Sequence, residues 1–500
     1  MPESSGMVSP EIDISEPPRS PALGRHLLHG TLIYGATNFG LRGVNFGLVV
    51  LYTRFLTPAD FGTVALAEVI AAIVSTVSGL GLTAAIQPLF FRHVGDRTAL
   101  QQCVSSLLHF GAGATTFFLI TSLLAGTLFA RSLGFPVAFW PYVAIALGTA
   151  AALQLVDYRL VLYQIEEKPA SYAMLAAASF VFTGAATVYG VIVLRGGAVS
   201  LLGGKMTGAI LTLSLAVWLG RHWLKGGWQK SFVREALPIA LPLLPHMLLA
   251  LGLIAADRLI LQRYRNMQEV GLYSLAYTLG MMMYLVTASV AQAWSPSFYR
   301  MASQGDEKRP VLGRMQTMVV LLLAAVAVFG SAIAHPFIRL VLDPRYWPAE
   351  RLVPLVIGGY LFHAVFALFQ MSALHARKTQ FVWVVSIVAL IVNLALNFAW
   401  DPKWGMYGAA WATTLAYGVE GLLMYLYGQS VYRLPVNSRR ILTALAIFSA
   451  LLALTQVSFS DRTQSLLIGC GFVLSMVLFW YMLRTDRILL SDLLRQSSSN

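Results

Sequence analysis

Long apolar runs recur along almost the whole chain, and they constrain its fold more than any other sequence feature. A helix needs about 20 apolar residues to cross the hydrocarbon layer of a membrane, which is ~30 Å thick. Runs of about this length occupy 30–52, 63–86, 104–130, 138–162, 170–194, 198–219, 237–261, 270–293, 315–341, 352–374, 381–400, 406–428, 441–458 and 465–483. The connections between them are too short to hold a folded soluble domain. The sequence therefore predicts an all-α polytopic membrane protein with about 14 transmembrane helices.

The composition excludes several other classes of protein. Hydrophobic residues make up 57% of the chain and charged residues 11%, whereas soluble domains carry roughly 25% charged residues. This balance argues against a cytosolic enzyme, a disordered scaffold and a disulfide-rich secreted domain. Cys103 and Cys470 lie in or next to apolar runs, which indicates neither a disulfide framework nor a metal site. The net charge of +13 is spread over small clusters, so it does not form the basic stripe of a nucleic-acid binder.

Lys and Arg residues alternate in density between successive connections, and this alternation predicts the orientation of the chain. With a cytoplasmic N-terminus, the cytoplasmic connections carry roughly twice as many Lys and Arg residues as the opposite ones, as the positive-inside rule requires. Both termini are then cytoplasmic, and we expect a multi-pass protein of the inner (plasma) membrane. Residues 1–25 are rich in Ser and Pro and lack the apolar stretch of a signal peptide, so we expect a disordered cytoplasmic tail.

The rest of the chain divides into two halves around a basic connection. We expect an N-terminal six-helix bundle at 26–219, a cytoplasmic linker at 220–236, a C-terminal six-helix bundle at 237–430, and two additional helices with a cytoplasmic tail at 431–500. A faint internal repeat supports this division, because Arg195-Gly196-Gly197 precedes the sixth run much as Lys403-Trp404-Gly405 precedes the twelfth. In transporters, the substrate site lies at the interface between such repeats.

Arg42 is the clearest candidate for a functional residue. It lies near the middle of the first run, with Tyr34, Asn38 and Asn45 at helical spacing from it, so all four share one face of a helix. A charged side chain at the centre of a bilayer costs about 2.5–3.5 kcal/mol unless it meets a partner or a water-filled cavity. Arg42 therefore either locks two helices together or lines a cavity that receives an anionic substrate, with Asn38 and Asn45 beside it.

Three more ionisable residues lie within apolar runs. Lys205 in the sixth run either reaches the membrane interface or lines a cavity. Glu68 in the second run and Glu420 in the twelfth are acids placed inside the lipid layer. Each acid either pairs with Arg42 or Lys205 or carries a coupled proton.

The seventh run combines prolines with a charged pair. Pro238, Pro242 and Pro245 must bend or break this helix, because each proline removes a backbone donor. Asp257-Arg258 follows near its outer end. A bent helix between two halves suits either a moving gate or a fixed kink.

In the eleventh run, hydrogen bonds between helices explain Asn393 and Asn397.

Motifs of soluble enzymes do not account for the remaining polar residues. The stretch 203–207, GGKMT, resembles the end of a phosphate-binding loop, but Met206 stands where a Ser or Thr should bind magnesium. His363 and His375 have no partners at metal-ligand spacing. We expect no enzymatic activity, no catalytic residue, no metal site and no cofactor.

Four segments together resemble one family, the polysaccharide (O-antigen type) lipid flippases of the multidrug/oligosaccharidyl-lipid/polysaccharide exporter superfamily. They are 52–62 (YTRFLTPADFG), 79–86 (GLGLTAAI), 256–261 followed by 269–277 (ADRLIL and EVGLYSLAY), and 393–397 followed by 402–413. The first is similar to the family's loop after the first helix. The third is similar to its connection between the seventh and eighth helices. The matches occur in the family's order over most of the chain.

The resemblance implies two six-helix bundles around a central cavity that opens alternately to each side. It implies transport of a polyprenyl-diphosphate-linked oligosaccharide, with Arg42 as the principal diphosphate contact and Lys205 and Arg258 as secondary cations. Glu68, Asp257 and Glu420 are the candidates for ion coupling. The expected partners are the lipid-linked oligosaccharide, membrane lipids, and a glycan polymerase and glycosyltransferases of the same pathway, without nucleic acid.

Three alternatives remain open at this stage. An ion-coupled multidrug exporter of the same superfamily should have a neutral or acidic cavity, so the charge of the cavity distinguishes it from the flippase. A peptidoglycan-precursor flippase is a close relative whose motifs match less well. A membrane-embedded glycan ligase or polymerase is disfavoured by the short outer connections.

Overall fold

A computed structural model describes residues 40, 46–93, 95–132, 137–378, 380–456 and 461–485. Arg42, Asn38 and Asn45 lie outside these residues, so their predicted roles stay predictions. The described part of the chain is helical and contains no β-strand. This confirms the predicted all-α class.

Fifteen α-helices account for most of the described residues. They are α1 Pro58–Gly79, α2 Leu82–His93, α3 Arg97–Ser132, α4 Ala144–Ile165, α5 Pro169–Tyr189, α6 Ala198–Gly220, α7 Lys230–Ala240, α8 Leu244–Tyr264, α9 Met267–Ser303, α10 Arg309–Val341, α11 Leu352–His375, α12 Val382–Trp404, α13 Met406–Val431, α14 Ser438–Gln456 and α15 Asp461–Thr485.

Most of these helices are long and apolar enough to cross a membrane. Ten spans within the described residues meet this condition, and an eleventh does if a bent pair of helices counts as one span. The bent pair is Lys230–Leu243 with Met247–Tyr264, and its axes differ by 43°. Pro238 and Pro242 lie in the first helix of the pair and Pro245 lies in the break between the two helices. The bend that the sequence predicts from these prolines is therefore confirmed. The chain is a multi-pass membrane protein.

Helix α1 begins with a capping box whose acidic residue also contacts the start of α6. Thr57 is the N-cap of α1, and its hydroxyl accepts a hydrogen bond from the N–H of Asp60. The Asp60 carboxylate in turn accepts from the N–H of Thr57 at 2.9 Å and from the N–H of Ala198 at 3.1 Å. Ala198 opens α6 directly after Gly197, whose φ is +61°. One acidic side chain therefore satisfies the first N–H groups of two helices.

The second half repeats this junction with different residues. Asn266 is the N-cap of α9 and accepts from the N–H of Glu269 at 3.0 Å. Glu269 accepts from the N–H of Met406 at 3.0 Å, and Met406 opens α13 directly after Gly405, whose φ is +56°. The two halves thus use the same local construction, which agrees with the internal repeat in the sequence.

Two glycines let α1 and α9 touch backbone to backbone. Gly62 and Gly271 occupy the same position relative to their N-caps, Thr57 and Asn266. A Cβ atom added to Gly271 would lie 1.6 Å from the carbonyl oxygen of Pro58, and one added to Gly62 would lie 2.1 Å from that of Met267. Because these contacts are with backbone atoms, no side chain could move aside. We call this junction of the two halves the closed end.

Candidate functional site

A polar cavity lies within the first half, between α1, α4 and α6. Its volume is about 520 Å³. Met247 of α8 also lines it, so it extends to the boundary with the second half. Polar groups in this number do not face lipid. The polar lining residues are Glu68, Ser75, Thr76, Thr83, Thr149, Gln154, Asp157, Tyr158 and Lys205.

Lys205 and Glu68 form an ion pair in this cavity. Lys205 belongs to α6 and Glu68 to α1, and their side chains remain 30% and 45% exposed. The contact confirms the prediction that Glu68 can pair with Lys205. It also means that the charge of Lys205 is neutralised in this conformation, although the side chain lines the cavity.

Asp157 lines the same cavity, and none of the described residues forms a hydrogen bond or ion pair with its carboxylate. One turn earlier on α4, the amide of Gln154 lies 2.8 Å from the Ser75 hydroxyl and 2.9 Å from the Ser78 hydroxyl. Among the described lining residues, two carboxylates face one ammonium group. The described lining residues therefore do not give this cavity the cationic character that the sequence predicts, and Arg42 lies outside the described residues.

A second polar site is buried in the second half, where α8, α12 and α13 meet. Asp257 is fully buried. Its carboxylate accepts hydrogen bonds from the Tyr273 hydroxyl, from the N–H of Arg258 at 2.7 Å and from the Thr413 hydroxyl at 3.4 Å. The Asn393 amide donates to the Thr413 hydroxyl at 3.2 Å. The Asn393 side chain therefore joins α12 to α13, as the sequence predicts.

Asp401 and Asn397 bring unpaired oxygen atoms to this region. Both residues are fully buried. The two carboxylate oxygens of Asp401 and the side-chain oxygen of Asn397 have no hydrogen-bond partner among the described residues. The backbone carbonyl oxygen of Asp401 accepts a hydrogen bond from Nε of Arg265 at 3.2 Å. We call Asp257, Asn397, Asp401 and Thr413 the buried acidic cluster.

The buried acidic cluster is chemically suited to a proton or a small cation, although two arginines adjoin it, since Arg258 follows Asp257 and Arg265 donates to the carbonyl oxygen of Asp401 at 3.2 Å. Burying a carboxylate costs several kcal/mol unless a counter-charge compensates it. Carboxylate, amide and hydroxyl oxygens are the ligands that hard cations prefer, and transporters hold Na⁺ or H⁺ at such sites within their repeats. The cluster can therefore hold a small cation or share a proton.

Glu420, the third acid singled out in the sequence, is paired. It is 2% exposed, and its carboxylate lies 2.8 Å from Nδ1 of His363 and 3.2 Å from the Ser386 hydroxyl. The ring of His363 stacks on Phe366 with a centroid separation of 5.5 Å. The sequence predicts Arg42 or Lys205 as the partner of Glu420, or a role in carrying a proton. In the structure Glu420 contacts His363, and Lys205 pairs with Glu68 in the other half.

Arg258 lies in the second half, among aromatic rings. Its guanidinium carbon is 4.6 Å from the centroid of Tyr277, and its Nε donates to the Ser274 hydroxyl at 3.2 Å. It is not among the residues that line the cavity of Lys205. The structure therefore brings Glu68 and Lys205 together and places Arg258 with Asp257 in a separate site.

A short segment of the second half covers the closed end. Arg345 donates to the carbonyl oxygens of Thr53 and Arg54, each at 3.4 Å. The Tyr346 hydroxyl donates to the carbonyl oxygen of Leu56 at 3.0 Å. A hydrogen bond from Arg345 at 2.8 Å lowers the pKa of Asp343 below its ordinary value, because it stabilises the carboxylate. These contacts join the two halves beside Gly62 and Gly271.

Asp157 and Asp401 are site residues that the sequence did not predict. Asp401 could have been found, because it follows Asn393 and Asn397 at intervals of one helical turn and so shares their face. Asp157 lies in an apolar run and is followed by Tyr158 and Arg159, and no spacing of polar residues in the sequence indicates a cavity there.

Comparisons with known proteins agree with this architecture. A family model described as "Polysaccharide biosynthesis protein" matches residues 51–350. The curated proteins contain no significant match to the sequence.

Several solved structures share the fold at low sequence identity. A structure described as "Lipid II flippase MurJ, inward closed conformation" has 14% identity and a TM-score of 0.71, covering 91% of this chain and 99% of that one. An inward-facing multidrug resistance MATE family transporter has 14% identity and a TM-score of 0.56, covering 81% and 95%. A mutant of the Vibrio cholerae MATE transporter VcmN has 14% identity and a TM-score of 0.56, covering 82% and 97%. The chain therefore shares the fold of these solved structures.

Proposed function

Because this chain belongs to the family of polysaccharide biosynthesis proteins, we propose that it is a flippase for a polyprenyl-diphosphate-linked oligosaccharide. It moves this lipid across the inner (plasma) membrane by alternating access, for O-antigen, capsule or exopolysaccharide biosynthesis. The observation that carries the proposal is a polar cavity of about 520 Å³ inside a bundle of membrane-spanning helices whose two halves are joined at one end.

The orientation follows from the positive-inside rule. The closed end contains Arg54 and Arg345, which lie on the side with fewer basic residues. We assign this end to the outer face and both termini to the cytoplasm. The substrate then enters from the cytoplasmic leaflet while the outer face is shut, and it leaves after the closed end separates.

Arg42 is the principal contact for the diphosphate in this proposal, with Asn38 and Asn45 beside it. Transferring a diphosphate out of water requires a compensating positive charge. Lys205 supports the same role, since it lines the cavity, and release from Glu68 would free its ammonium group for the substrate. Arg258 contacts Tyr277 and Ser274, so its contact with substrate requires a rearrangement of the second half.

The principal test replaces Arg42 in a strain that lacks the chromosomal gene. Arg42→Ala should abolish display of the glycan at the cell surface, and lipid-linked oligosaccharide should accumulate in the cytoplasmic leaflet. The matched control is Lys403→Ala, which removes an exposed basic residue outside the cavity. Abundance in the membrane should be the same for both variants. Full export by Arg42→Ala would show that this residue does not bind the substrate.

The Lys205–Glu68 pair calls for a paired test. Lys205→Gln leaves the Glu68 carboxylate without its cation, so a loss of export by this variant has two explanations. The double variant Glu68→Gln/Lys205→Gln removes both charges together. Export that stays low in the double variant, at normal abundance, supports a direct role for the ammonium group. If export is low in Lys205→Gln but normal in the double variant, the role of Lys205 is to neutralise the charge of Glu68.

A second candidate function has a specific observation in its favour. Among the described lining residues the cavity carries two carboxylates, Glu68 and Asp157, and one ammonium group. An excess of negative charge favours a cationic cargo, as in an ion-coupled exporter of small molecules. Efflux of a cationic dye that depends on Asp157, with normal glycan export in the deletion strain, would favour this function. Accumulation of a peptidoglycan precursor in that strain would favour a peptidoglycan-precursor flippase.

The driving force in our proposal is an ion gradient acting on Asp257. The support for Asp257 is that the unpaired side-chain oxygens of Asp401 and Asn397 lie in the same buried cluster and could bind a cation or a proton. Glu68 and Glu420 have less support as coupling groups, because the carboxylate of each lies within ion-pair distance of a basic side chain. The carboxylate of Asp257 instead accepts hydrogen bonds from two hydroxyl groups and from the backbone N–H of Arg258.

This coupling is testable on purified protein. Na⁺ at constant ionic strength should raise the temperature of thermal unfolding, and Asp257→Asn and Asp401→Asn should remove the effect. Asp306→Asn is the matched control, because its carboxylate is 80% exposed and far from the cluster in sequence. A response to pH in place of Na⁺, lost in the same variants, would assign the coupling to a proton. Transport unaffected by either variant would refute the assignment.

A further inference from the structure

The connection between α6 and α7 presents a group of exposed basic and aromatic side chains. Trp218 and Trp228 are 60% and 54% exposed. Four basic side chains in the same stretch are also exposed. We call these six residues the basic–aromatic segment, which consists of Trp218, Arg221, Lys225, Trp228, Lys230 and Arg234.

The four basic residues keep their charge free for a partner. No acidic residue in the described part of the chain forms an ion pair with any of them. The nearby acids are already engaged, because Glu166 binds Arg159 and Lys168, and Glu235 binds Arg92.

His222 in the same connection adds no charge near neutral pH. Partial desolvation and the neighbouring Arg159 guanidinium lower the pKa of His222. The segment therefore presents four positive charges, which come from its Lys and Arg residues.

The connection is held in place by α3. The amide of Gln101 donates to the carbonyl oxygen of His222 at 3.0 Å, and the Ser106 hydroxyl accepts from the N–H of Gln229 at 2.9 Å. At Gly226 the backbones touch, since a Cβ there would lie 2.2 Å from the carbonyl oxygen of Gln101. The basic side chains thus extend from a backbone whose position is set by a membrane-spanning helix, and little backbone ordering is needed for them to bind.

The segment lies where two spans leave the membrane. Gly220 ends α6, and Lys230 begins the bent span of α7 and α8. Tryptophan side chains favour the boundary between hydrocarbon and water, and four or more basic residues next to a membrane-spanning helix attract anionic headgroups.

We propose that the basic–aromatic segment binds the phosphate headgroups of anionic lipids in the adjacent leaflet. This contact fixes the linker between the two halves to the membrane surface. It is independent of the cargo, since none of the six residues lines the cavity. Lipid is the occupant because free positive charge and exposed tryptophan occur together beside the bilayer.

The test uses the full chain in nanodiscs of phosphatidylcholine with and without phosphatidylglycerol. Native mass spectrometry measures which lipid is retained, and hydrogen exchange measures protection of the backbone amides of 221–229. We expect the wild-type protein to retain phosphatidylglycerol preferentially and to gain protection in its presence. Each basic residue replaced by Gln should weaken retention about fivefold, the equivalent of about 1 kcal/mol.

A charge-matched control separates this segment from the general positive charge of the protein. The test variant carries Arg221→Gln, Lys225→Gln, Lys230→Gln and Arg234→Gln. The control variant carries Gln at four exposed basic positions of the second half, which are Arg377, Lys378, Arg433 and Arg439.

Three results would overturn the proposal. They are equal loss of retention in both quadruple variants, equal retention of the two lipids by the wild-type protein, and equal protection by inorganic phosphate in detergent. The exchange measurement on the wild-type protein needs no variant, so it decides the question even if a quadruple variant does not fold.

Discussion

The close approach of α1 and α9 at Gly62 and Gly271 predicts that a larger residue at either position will favour the open conformation of the closed end. The Cβ of Gly271→Ala would lie 1.6 Å from the Pro58 carbonyl oxygen, whereas such contacts are essentially never below 3.0 Å, so the helices must separate by about 1.4 Å. Overpacking of this kind costs typically about 1–3 kcal/mol. The cost falls on the closed conformation, because a separated α1 and α9 leave room for the methyl group. The ratio of closed to open molecules should therefore fall about 5–150-fold.

Thiol labelling can measure this shift. Thr53 is fully buried, and its carbonyl oxygen accepts from Arg345 of the other half. Thr53→Cys replaces the hydroxyl and methyl groups of this side chain with one thiol group. In a background without Cys103 and Cys470, the thiol reports opening through its reaction with a membrane-impermeant maleimide. Gly271→Ala should raise the labelling rate by the factor given above.

The matched control is Gly203→Ala, where a new Cβ would meet no atom within 4 Å. This variant should label at the rate of the parent protein. If Gly271→Ala also leaves Thr53→Cys protected, with unchanged thermal stability, then the backbone contact does not hold the closed end together and the reasoning is refuted.

Three further predictions concern the junctions of the two halves. The pKa of Asp343 is lowered in the folded protein, so the ionised carboxylate stabilises the fold above about pH 4, and this stabilisation is lost as the pH falls through the lowered pKa. Asp343→Asn lacks the carboxylate that binds Arg345. Its temperature of thermal unfolding should therefore fall less on acidification than that of the wild-type protein. Asn266→Ala removes an N-cap and should lower the free energy of unfolding by about 0.5–2 kcal/mol, measured by chemical denaturation in detergent. Gly405→Ala should reduce the abundance of the protein in the membrane more than Gly227→Ala. Both glycines have a positive φ, but a Cβ at Gly405 would lie 2.1 Å from a carboxylate oxygen of Glu269, whereas one at Gly227 would meet no atom within 4 Å. Equal abundance of the two variants would contradict this explanation.

The similarity of the two junctions gives a physical account of the segments that resemble the flippase family. In the segment at 52–62, Thr57 and Asp60 form the capping box, and Asp60 also binds the start of α6. In the segment at 269–277, Glu269 does the same for α13, and Gly271 makes the close contact with α1. These segments therefore specify how the halves are built and joined, and they say little about the cargo.

The sequence by itself determined the class of the protein and the location of its helices. Hydrophobic length is a local property, and lipid forces each apolar run into a helix because unpaired backbone groups are too costly there. The bend at Pro238, Pro242 and Pro245 was predictable for the same reason, since a missing backbone donor is a local fact.

The pairing of charged residues was decided by the tertiary structure. Glu68 could have met Arg42 or Lys205, and Glu420 could have met either, but helix packing placed Glu68 with Lys205 and Glu420 with His363. Asp257 and Asn393 lie far apart in the chain, and tertiary packing links both of them to the Thr413 hydroxyl. Electrostatic interaction depends on distance and local dielectric, and both are set by contacts between helices that no single segment of the sequence contains.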